Sequence, residues 1–282
     1  MRGTRGASAV DLEVTLRVGE AKRARVNAAP LRAAEQLRGE VATLVFTPDR
    51  LAVVKGGPAV RRAYFDRALG RLSPVRAQLA ADYGAAVAQR NAALRRIGAG
   101  FSSREALSPW TERVVELGRQ LVEAREAVVS VLTPRLAASG ADFGLDETRV
   151  LYDGTAPTVQ ELEARVERDV ERGTTGLGPH LDDFQILSGS RDLRTFGSQG
   201  EQRLAVLALL LTEAELIADR RGYPPLLLLD DVLSELDPDR RRALARRVSV
   251  AGQTFVTSTT ASALPLEPAQ LLEVTPGEVR AA

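Results

Sequence analysis

Cysteine is absent from this 282-residue chain, and histidine, methionine and tryptophan each occur only once. The absence of cysteine excludes disulfide bonds, thiolate metal sites and cysteine nucleophiles, and it fits a cytosolic protein. A single histidine, His180, excludes a metal site built from several imidazole ligands. For His180 itself, a hydrogen-bonded structural role is favoured over a catalytic one.

Long apolar runs are missing as well. No stretch approaches the roughly 18–20 consecutive apolar residues of a membrane-spanning helix, so a membrane is not an expected partner. Residues 1–11 lack the apolar segment of a signal peptide, and we therefore expect a cytoplasmic location. The apolar fraction of 44% and the charged fraction of 27% are typical of a globular chain, long enough for one large domain or two lobes.

Neither sign of charge is in excess, because 38 basic residues face 37 acidic ones. Bulk electrostatics gives no argument for nucleic-acid binding, and any basic surface must be local. Lysine is also scarce: only Lys22 and Lys55 accompany the many arginines. The arginine enrichment has two explanations, a GC-rich genome and phosphate binding, and the first is favoured.

The periodicity of apolar residues predicts a mixture of strands and helices. Three strands are predicted near the N-terminus, at residues 12–18, 21–26 and 42–46. Three helical segments follow, at residues 59–70, 74–97 and 109–138. Long amphipathic helices in succession indicate a helical lobe or a short antiparallel arm. Further along, residues 184–187 and 193–196 predict a short hairpin.

Residues 196–211 predict a capped and buried helix. Ser198 and Glu201 have the S-x-x-E spacing of a capping box. The residues at 204–211 are apolar on every side, which predicts a helix that is buried all round. Unpaired N–H groups and the helix dipole make the N-terminus of such a helix a favourable place for an anion. The simpler interpretation is a good helix cap, and both can be true of the same residues.

A buried strand and two carboxylates follow this helix. The apolar run at 226–229 predicts a parallel strand that is covered on both faces. Asp230 and Asp231 stand at its carboxyl end, where paired carboxylates can hold Mg²⁺ and orient a water. Alone, they fit a strand ending in a capped turn equally well. Asp237 with Pro238 then predicts the N-cap and first turn of another helix.

These motifs together resemble those of the RecF family of DNA replication and repair proteins, within the ABC-ATPase superfamily. Ser198–Gln202 resembles the signature loop, Leu226–Asp231 the Walker B strand and Ser234–Asp237 the D-loop. Other stretches similar to the family are Val45–Asp49, Val54–Pro58 with Arg61 and Arg62, Gln89–Asn91 and Gly178–His180. The resemblance covers about residues 11–260, and the three motifs in this order are far more specific than any one of them.

The resemblance implies an α/β fold, that of an ABC-ATPase head of the P-loop NTPase type. Such a head has a mixed β-sheet lobe, lobe I, and an inserted helical lobe, lobe II. Residues 1–58 are expected to form part of lobe I and residues 59–175 lobe II. Residues 176–282 are expected to carry the signature loop, the Walker B strand and the C-terminal part of lobe I.

The sequence departs from the family pattern in two places. The family has a P-loop, G-x-x-x-x-G-K-[ST], whereas Lys22 lies in GEAKRAR and Lys55 in VVKGGPA. We therefore expect the chain to begin after the family's first strand and P-loop, which leaves open whether it is an enzyme. Leu181 stands where the family usually has a basic residue after His180.

The resemblance also implies roles for individual residues. Asp230 is expected to hold Mg²⁺ and Asp231 to polarise the attacking water. The signature loop is expected to bind the γ-phosphate of ATP held by a partner chain, through Ser198, Gln199, Gly200, Glu201 and Gln202. Ser234 and Asp237 of the D-loop are expected to couple the two sites of an ATP-dependent homodimer. Thr259 or Thr260 stands where many relatives use a histidine, which predicts slow hydrolysis.

The function implied is ATP-dependent binding to DNA at gaps, where single- and double-stranded segments meet. The implied partners are recombination mediator proteins, and the implied purpose is to aid the loading of a recombinase. The candidate DNA contacts are Arg61, Arg62, Arg90, Arg95 and Arg96. Solvated helix faces with paired charges are the favoured alternative for these arginines. Two alternatives remain for the chain: a non-hydrolysing DNA-binding or scaffold subunit, and an inactive fragment from a misassigned start codon.

Overall fold

The computed structural model describes residues 2–5, 8–20, 23–31, 41–234, 236–249, 252–260, 263 and 265–281. The chain forms two compact units. Unit 1 comprises residues 1–50, 142–144 and 207–282, and unit 2 comprises residues 51–141 and 145–206. The signature loop thus belongs to unit 2, whereas the family pattern groups it with lobe I; the division into lobes stays a prediction.

In the described part of the chain, strands come first and a long helical stretch over residues 48–142 follows. The strands of the described residues are β1 (Arg2–Arg5), β2 (Ser8–Thr15), β3 (Arg23–Val26), β4 (Ala29–Pro30), β5 (Thr43–Phe46), β6 (Arg149–Tyr152), β7 (Phe184–Ser188), β8 (Arg191–Asp192), β9 (Leu226–Leu229), β10 (Thr254–Val256), β11 (Leu272–Thr275) and β12 (Glu278–Ala281). The α-helices of the same residues are α1 (Ala52–Lys55), α2 (Pro58–Leu72), α3 (Leu79–Gly98), α4 (Ser108–Asp142), α5 (Val159–Ala164), α6 (Val166–Arg172), α7 (Leu193–Phe196), α8 (Gln199–Arg221) and α9 (Pro238–Val248). None of the helices described is long and apolar enough to cross a membrane.

An antiparallel sheet in the order β1-β2-β3-β4 forms the N-terminal part of unit 1. Its central hairpin pairs Leu12 with Val26 and ends where Thr15 lies opposite Arg23. The predicted strand over 12–18 is therefore too long at its C-terminal end. Pairing stops there because the chain turns at Gly19, whose φ of +79° lies in the left-handed region that glycine adopts readily. The predicted strand over 21–26 is present from Arg23; residues 21 and 22 lie outside the described part of the chain.

A three-stranded parallel sheet, in the order β10-β9-β5, carries the carboxylates of unit 1. β9 lies in the centre and pairs in parallel with both neighbours, which confirms the predicted parallel strand. Leu227 and Leu229 of β9 are buried, whereas Leu226 and Leu228 are half-buried, so one face of the strand is covered less fully than predicted. Ladder-like hydrogen bonds continue past the strand: the Asp230 N–H donates to the Phe46 carbonyl at 2.9 Å, and the Thr257 N–H to the Leu229 carbonyl at 3.0 Å. The backbone entering the carboxylate pair is therefore fixed from both sides.

The helices α2, α3 and α4 of unit 2 confirm the three predicted helical segments, with one shifted start. α3 begins at Leu79 rather than at residue 74, because Pro74–Arg76 forms a 3₁₀ turn. The predicted hairpin is correct only in its first strand. Its second strand is Arg191–Asp192, and Leu193–Phe196 is a helical turn, since the Asp192 carboxylate accepts the Arg194 N–H at 2.9 Å and caps it.

Stacked aromatic rings join the sheet β6-β7-β8 to helix α2 within unit 2. The Phe184 ring of β7 lies between Tyr152 of β6 and Phe65 of α2, with centroid distances of 4.6 and 4.2 Å. Phe65 and Phe184 are fully buried. Such contacts contribute about 0.5–1.5 kcal/mol per pair beyond the burial of apolar area. The stack thus anchors the sheet to the helices.

Candidate functional site

The carboxylate pair stands at the end of β9, as the sequence predicts. The Asp230 Oδ1 atom accepts a hydrogen bond from the Thr257 hydroxyl at 2.6 Å. The Asp231 N–H donates to the same hydroxyl oxygen at 3.0 Å. The Ser234 hydroxyl lies 3.1 Å from Asp231 Oδ2 and 3.2 Å from its carbonyl oxygen. All four residues are exposed, so the two carboxylates are open to a ligand.

Asp231 has an unusual backbone conformation, with a φ of +47°. Residues other than glycine rarely adopt this left-handed region, although aspartate tolerates it better than most. Such strain costs about 1–3 kcal/mol and persists only where surrounding contacts hold it. These contacts include the hydrogen bonds to Thr257 and Ser234.

The donor set at this strand end fits a divalent cation only together with further ligands. Within the described residues no group of three or more histidine, aspartate or glutamate side chains could hold a metal ion. The Asp230 Oδ2 atom makes no hydrogen bond to any residue that the structure describes. Mg²⁺ is commonly held by one or two carboxylates, with waters and substrate phosphates completing its octahedron. The pair therefore suits Mg²⁺ that arrives with a nucleotide.

The signature loop forms the predicted capping box at the start of α8. The Ser198 N–H donates to Glu201 Oε2 at 2.7 Å, and the Glu201 N–H donates to Ser198 Oγ at 3.2 Å. A hydrogen bond from the Arg191 guanidinium and the bond from the Ser198 N–H lower the pKa of Glu201 to about 2. Glu201 is therefore ionised at neutral pH. Ser198, Gln199 and Gly200 are exposed at the helix N-terminus, where a ligand can reach them.

Gln202 differs from the rest of the signature loop because its side chain is only 3% exposed. Its amide donates to the Leu193 carbonyl at 2.7 Å and to the Gly197 carbonyl at 3.2 Å. These bonds tie helix α7 to helix α8. The predicted nucleotide contact through the Gln202 side chain is therefore corrected: the side chain holds the loop in shape. The apolar run at 204–211 that follows is buried at every position, as predicted.

The D-loop residue Asp237 caps helix α9. Its carboxylate accepts the Arg240 N–H at 2.9 Å, with Pro238 in the first turn, which confirms the predicted N-cap. Asp237 and Ser234 are both exposed. Glu235, between them, lies outside the described residues.

Two of the five candidate DNA contacts are buried. Arg61 is 2% exposed and makes a bidentate ion pair with Asp183, at 2.7 and 2.6 Å. Arg90 is 0% exposed and pairs with Asp169 at 2.9 Å. A guanidinium enclosed in this way cannot reach a DNA phosphate, so Arg61 and Arg90 are removed from the predicted contacts. The spacing of these arginines along their helices did not indicate their ion-pair partners, which are distant in sequence.

The other three candidates are accessible. Arg62 is half-buried and donates to the Asp182 carbonyl at 2.6 Å, whereas Arg95 and Arg96 are exposed at the C-terminal end of α3. Arg95 also donates to the Gly173 carbonyl at 3.3 Å. These three remain predicted DNA contacts.

Sequence reasoning missed a third buried arginine, Arg125, which is 3% exposed. Its guanidinium pairs with both oxygens of Asp66, at 2.9 and 3.0 Å, and donates to the Pro179 carbonyl at 2.7 Å. Arg61, Arg90 and Arg125, here called the arginine clamp, come from helices α2, α3 and α4. Each of them bonds to the segment 169–183, which is therefore held from three helices.

His180 lies within this clamped segment and has the expected structural role. Its Nε2 is 3.0 Å from the Thr175 carbonyl, and its Nδ1 is 2.8 Å from the Tyr83 hydroxyl. A carbonyl only accepts, so Nε2 carries the proton and Nδ1 of the neutral ring accepts from Tyr83. Burial lowers the pKa of His180 and favours this neutral form. Leu181, next along the chain, is 56% exposed.

Comparison with known proteins gives relatives over most of the chain, although no protein-family model matches it. The chain is 34% identical to the DNA replication and repair protein RecF of Geobacter sulfurreducens over 95% of its own length and 76% of the relative's. It is 33% identical to RecF of Bacillus mycoides strain KBAB4, over 96% of its own length and 77% of the relative's. With RecF of Anaeromyxobacter sp. strain K the identity is 40%, over 78% of this chain and 62% of the relative's length.

Solved structures show the same similarity. The recombination mediator protein RecF-ATPrS of the RecFOR pathway superimposes with a TM-score of 0.83 at 25% identity, covering 97% of this chain and 76% of that one. An Smc head domain of Pyrococcus furiosus gives a TM-score of 0.54 at 12% identity, covering 98% of this chain and 72% of that one. At this identity the similarity is one of fold alone. The predicted fold class, an α/β ABC-ATPase head, is thereby confirmed.

Proposed function

The chain belongs to the RecF family of DNA replication and repair proteins, and on that premise we propose that it is an ATP-dependent DNA-binding protein of recombinational repair and replication restart. The observation that carries the proposal is the exposed pair Asp230–Asp231 at the end of a central parallel strand, in a chain of this family. The proposal includes the two-lobe division, with lobe II at 59–175, and action in the cytoplasm.

In this proposal the carboxylate pair serves a nucleotide. Asp230 holds Mg²⁺ through its water shell, and the ion, when bound, neutralises charge on the ATP phosphates. Asp231 accepts a proton from the attacking water or orients it. The left-handed backbone of Asp231 and its contact with Ser234 support this role, because they hold the carboxylate in one arrangement.

The signature loop serves a second nucleotide, bound to a second copy of the chain. Ser198, Gln199, Gly200 and the helix N-terminus of α8 bind the γ-phosphate of that ATP. Glu201 and Gln202 act indirectly, since one completes the capping box and the other anchors the loop. Ser234 and Asp237 couple the two sites across the ATP-dependent homodimer. The exposure of Ser198, Gln199 and Gly200 supports this arrangement.

DNA binding is proposed for the helical region of unit 2. Arg62, Arg95 and Arg96 contact phosphates of DNA at gaps, where single- and double-stranded segments meet. Phosphate contacts need no sequence code, so a few accessible arginines suffice. The DNA-bound dimer works with recombination mediator proteins and aids the loading of a recombinase.

A second candidate function is a non-hydrolysing DNA-binding or scaffold subunit. It is favoured by one observation: no G-x-x-x-x-G-K-[ST] motif occurs in the 282 residues. The lysine and backbone amides with which a P-loop holds the β- and γ-phosphates are therefore not among these 282 residues. The signature loop still allows pairing with another head.

The two functions are separated by DNA binding measured with and without nucleotide. We expect fluorescence anisotropy of a gapped duplex to show tighter binding when ATP and Mg²⁺ are present. Binding that is equally tight without nucleotide identifies the scaffold function, and no binding under either condition contradicts both.

The DNA contacts themselves are tested by the salt dependence of the affinity. Each phosphate contact contributes about 0.9 to the slope of log K against log salt concentration. The double variant Arg95→Gln/Arg96→Gln is therefore expected to lower the slope by about 1.8. The control Arg76→Gln/Arg113→Gln changes two other exposed arginines and is expected to leave the slope unchanged. An equal reduction in both variants means that the contacts are not specific to this surface.

A further inference from the structure

Thr257 joins the two aspartates of the carboxylate site through a single hydroxyl group. A hydroxyl has one proton to donate and lone pairs to accept. The Asp231 N–H can only donate, at 3.0 Å, and the Asp230 Oδ1 atom accepts the hydroxyl proton, at 2.6 Å. The direction of both hydrogen bonds is therefore determined: Thr257 accepts from Asp231 and donates to Asp230.

The two hydrogen bonds act on different properties of the site. The bond to Asp230 is short and charge-assisted, and it occupies Oδ1 while Oδ2 has no bonded partner in the described part of the chain. The bond from Asp231 restrains a residue whose φ of +47° is strained. One side chain thus restrains the carboxylate that is proposed to hold the cation and the backbone of the next residue.

Thr257 is itself held firmly. Its N–H donates to the Leu229 carbonyl at 3.0 Å, which extends the parallel pairing of β10 with β9 by one residue. Its β-branched side chain has few allowed rotamers. A stiff side chain on a fixed backbone is suited to positioning other groups, because little conformational freedom is lost when the ligand binds.

We propose that Thr257 is a positioning residue: it orients Asp230 to bind a divalent cation and keeps Asp231 in its left-handed conformation. The inference rests on the proposed function, because the cation role of Asp230 is part of that proposal. Thr257 touches neither cation nor nucleotide in this scheme and acts only through the two aspartates.

The test is Mn²⁺ binding to the full chain in the presence of ATP, measured from the electron paramagnetic resonance signal of free Mn²⁺ and compared with ATP alone. Thr257→Val keeps the shape of the side chain and removes the hydroxyl, whereas Thr257→Ser keeps the hydroxyl. Partners of metal ligands typically contribute a factor of about 10–100 to affinity, so Thr257→Val is expected to weaken Mn²⁺ binding about tenfold. Thr257→Ser is expected to stay within about twofold of the wild type, since the hydrogen bonds are retained.

Two controls separate this inference from the proposed function. Thr275→Val makes the same substitution at an exposed strand residue of unit 1 and is expected to leave Mn²⁺ affinity unchanged. Asp230→Asn removes the proposed ligand and is expected to abolish specific Mn²⁺ binding. If Asp230→Asn weakens binding and Thr257→Val does not, the inference about Thr257 is overturned and the cation site stands. If Asp230→Asn binds Mn²⁺ like the wild type, the proposed cation site itself is wrong.

A second readout does not depend on a metal. Amide hydrogen exchange of Asp231, followed by NMR, is expected to be about tenfold faster in Thr257→Val than in the wild type and unchanged in Thr257→Ser. Equal exchange rates in wild type and Thr257→Val would show that the hydroxyl does not restrain Asp231, and this part of the inference would be overturned.

Discussion

Replacing Asp169 by asparagine tests the most deeply buried ion pair of unit 2. In the wild type, Asp169 Oδ2 accepts from Arg90 Nη1 at 2.9 Å and Oδ1 accepts from the Gly176 N–H at 3.1 Å. Asparagine has the same shape but only one acceptor oxygen. In either orientation of the amide, its NH₂ group faces one of these two donors. The variant therefore leaves the buried guanidinium of Arg90 without a counter-charge.

The expected loss of stability follows from this geometry. Removing one partner of a buried ion pair typically costs about 3–5 kcal/mol, because an uncompensated charge remains in the interior. Arg90 keeps its hydrogen bonds to Thr175 at 2.9 Å and to Thr111 at 3.3 Å. These bonds offset part of the loss, so we expect a decrease of about 3 kcal/mol in the free energy of unfolding.

Urea unfolding at neutral pH measures this decrease. Trp110 lies in helix α4 within unit 2, so its fluorescence is the appropriate probe, with far-UV circular dichroism for the whole chain. Asp153→Asn makes the same substitution at an exposed aspartate and is expected to change stability by less than about 0.5 kcal/mol. The double variant Arg90→Met/Asp169→Leu removes both charges and is expected to recover part of the loss, since the Gly176 N–H still lacks its acceptor. A decrease below about 1 kcal/mol in Asp169→Asn would refute the argument that the pair is buried and coupled.

Two pH-dependent predictions follow from the perturbed pKa values. The pKa of Glu201 is lowered from 4.5 to about 2, so the stabilisation that depends on its carboxylate is complete above pH 4.5 and is lost as the pH falls to about 2. The difference in melting temperature between wild type and Glu201→Gln is therefore expected to shrink as the pH falls over that interval. Glu163→Gln, at an exposed glutamate, serves as the control. A difference between wild type and Glu201→Gln that stays constant with pH contradicts the prediction. For His180, whose pKa is lowered by burial, NMR titration of the one imidazole is expected to give a pKa below 6.5. The neutral ring stabilises the fold fully above pH 6.5 and less as the pH falls toward the folded-state pKa, and a measured pKa at or above 6.5 contradicts the burial argument.

Features of the site that depend on neighbouring residues were predictable from the sequence. The capping box of Ser198 and Glu201 and the N-cap of Asp237 involve partners three residues apart. The parallel strand at 226–229 follows from an apolar run of strand length. In each of these cases the signal lies within a few residues of the structure that it specifies.

Features that depend on distant partners were not predictable in this way. Arg61 and Asp183 are 122 residues apart in the chain, and no spacing on helix α2 distinguishes a buried arginine from a solvated one. Thr257 and Asp230 are separated by 27 residues and meet only because β9 and β10 pair in parallel. In these cases tertiary contacts outweigh the local pattern.

The arginine clamp also bears on how unit 2 folds. Its ion pairs close chain loops of 122, 79 and 59 residues, for Arg61, Arg90 and Arg125 respectively. Doubling a loop adds only about 0.6 kcal/mol of closure entropy, so loop length alone is a small thermodynamic burden. The order in which the contacts form matters more than loop length. A guanidinium that is buried before its carboxylate is in place loses its hydration and gains no ion pair in return. Because the carboxylates of Arg61 and Arg90 lie in the segment 169–183, helices α2 and α3 enclose these two guanidinium groups with their counter-charges only when that segment is in place. We therefore expect docking of the segment to be a late step in the folding of unit 2.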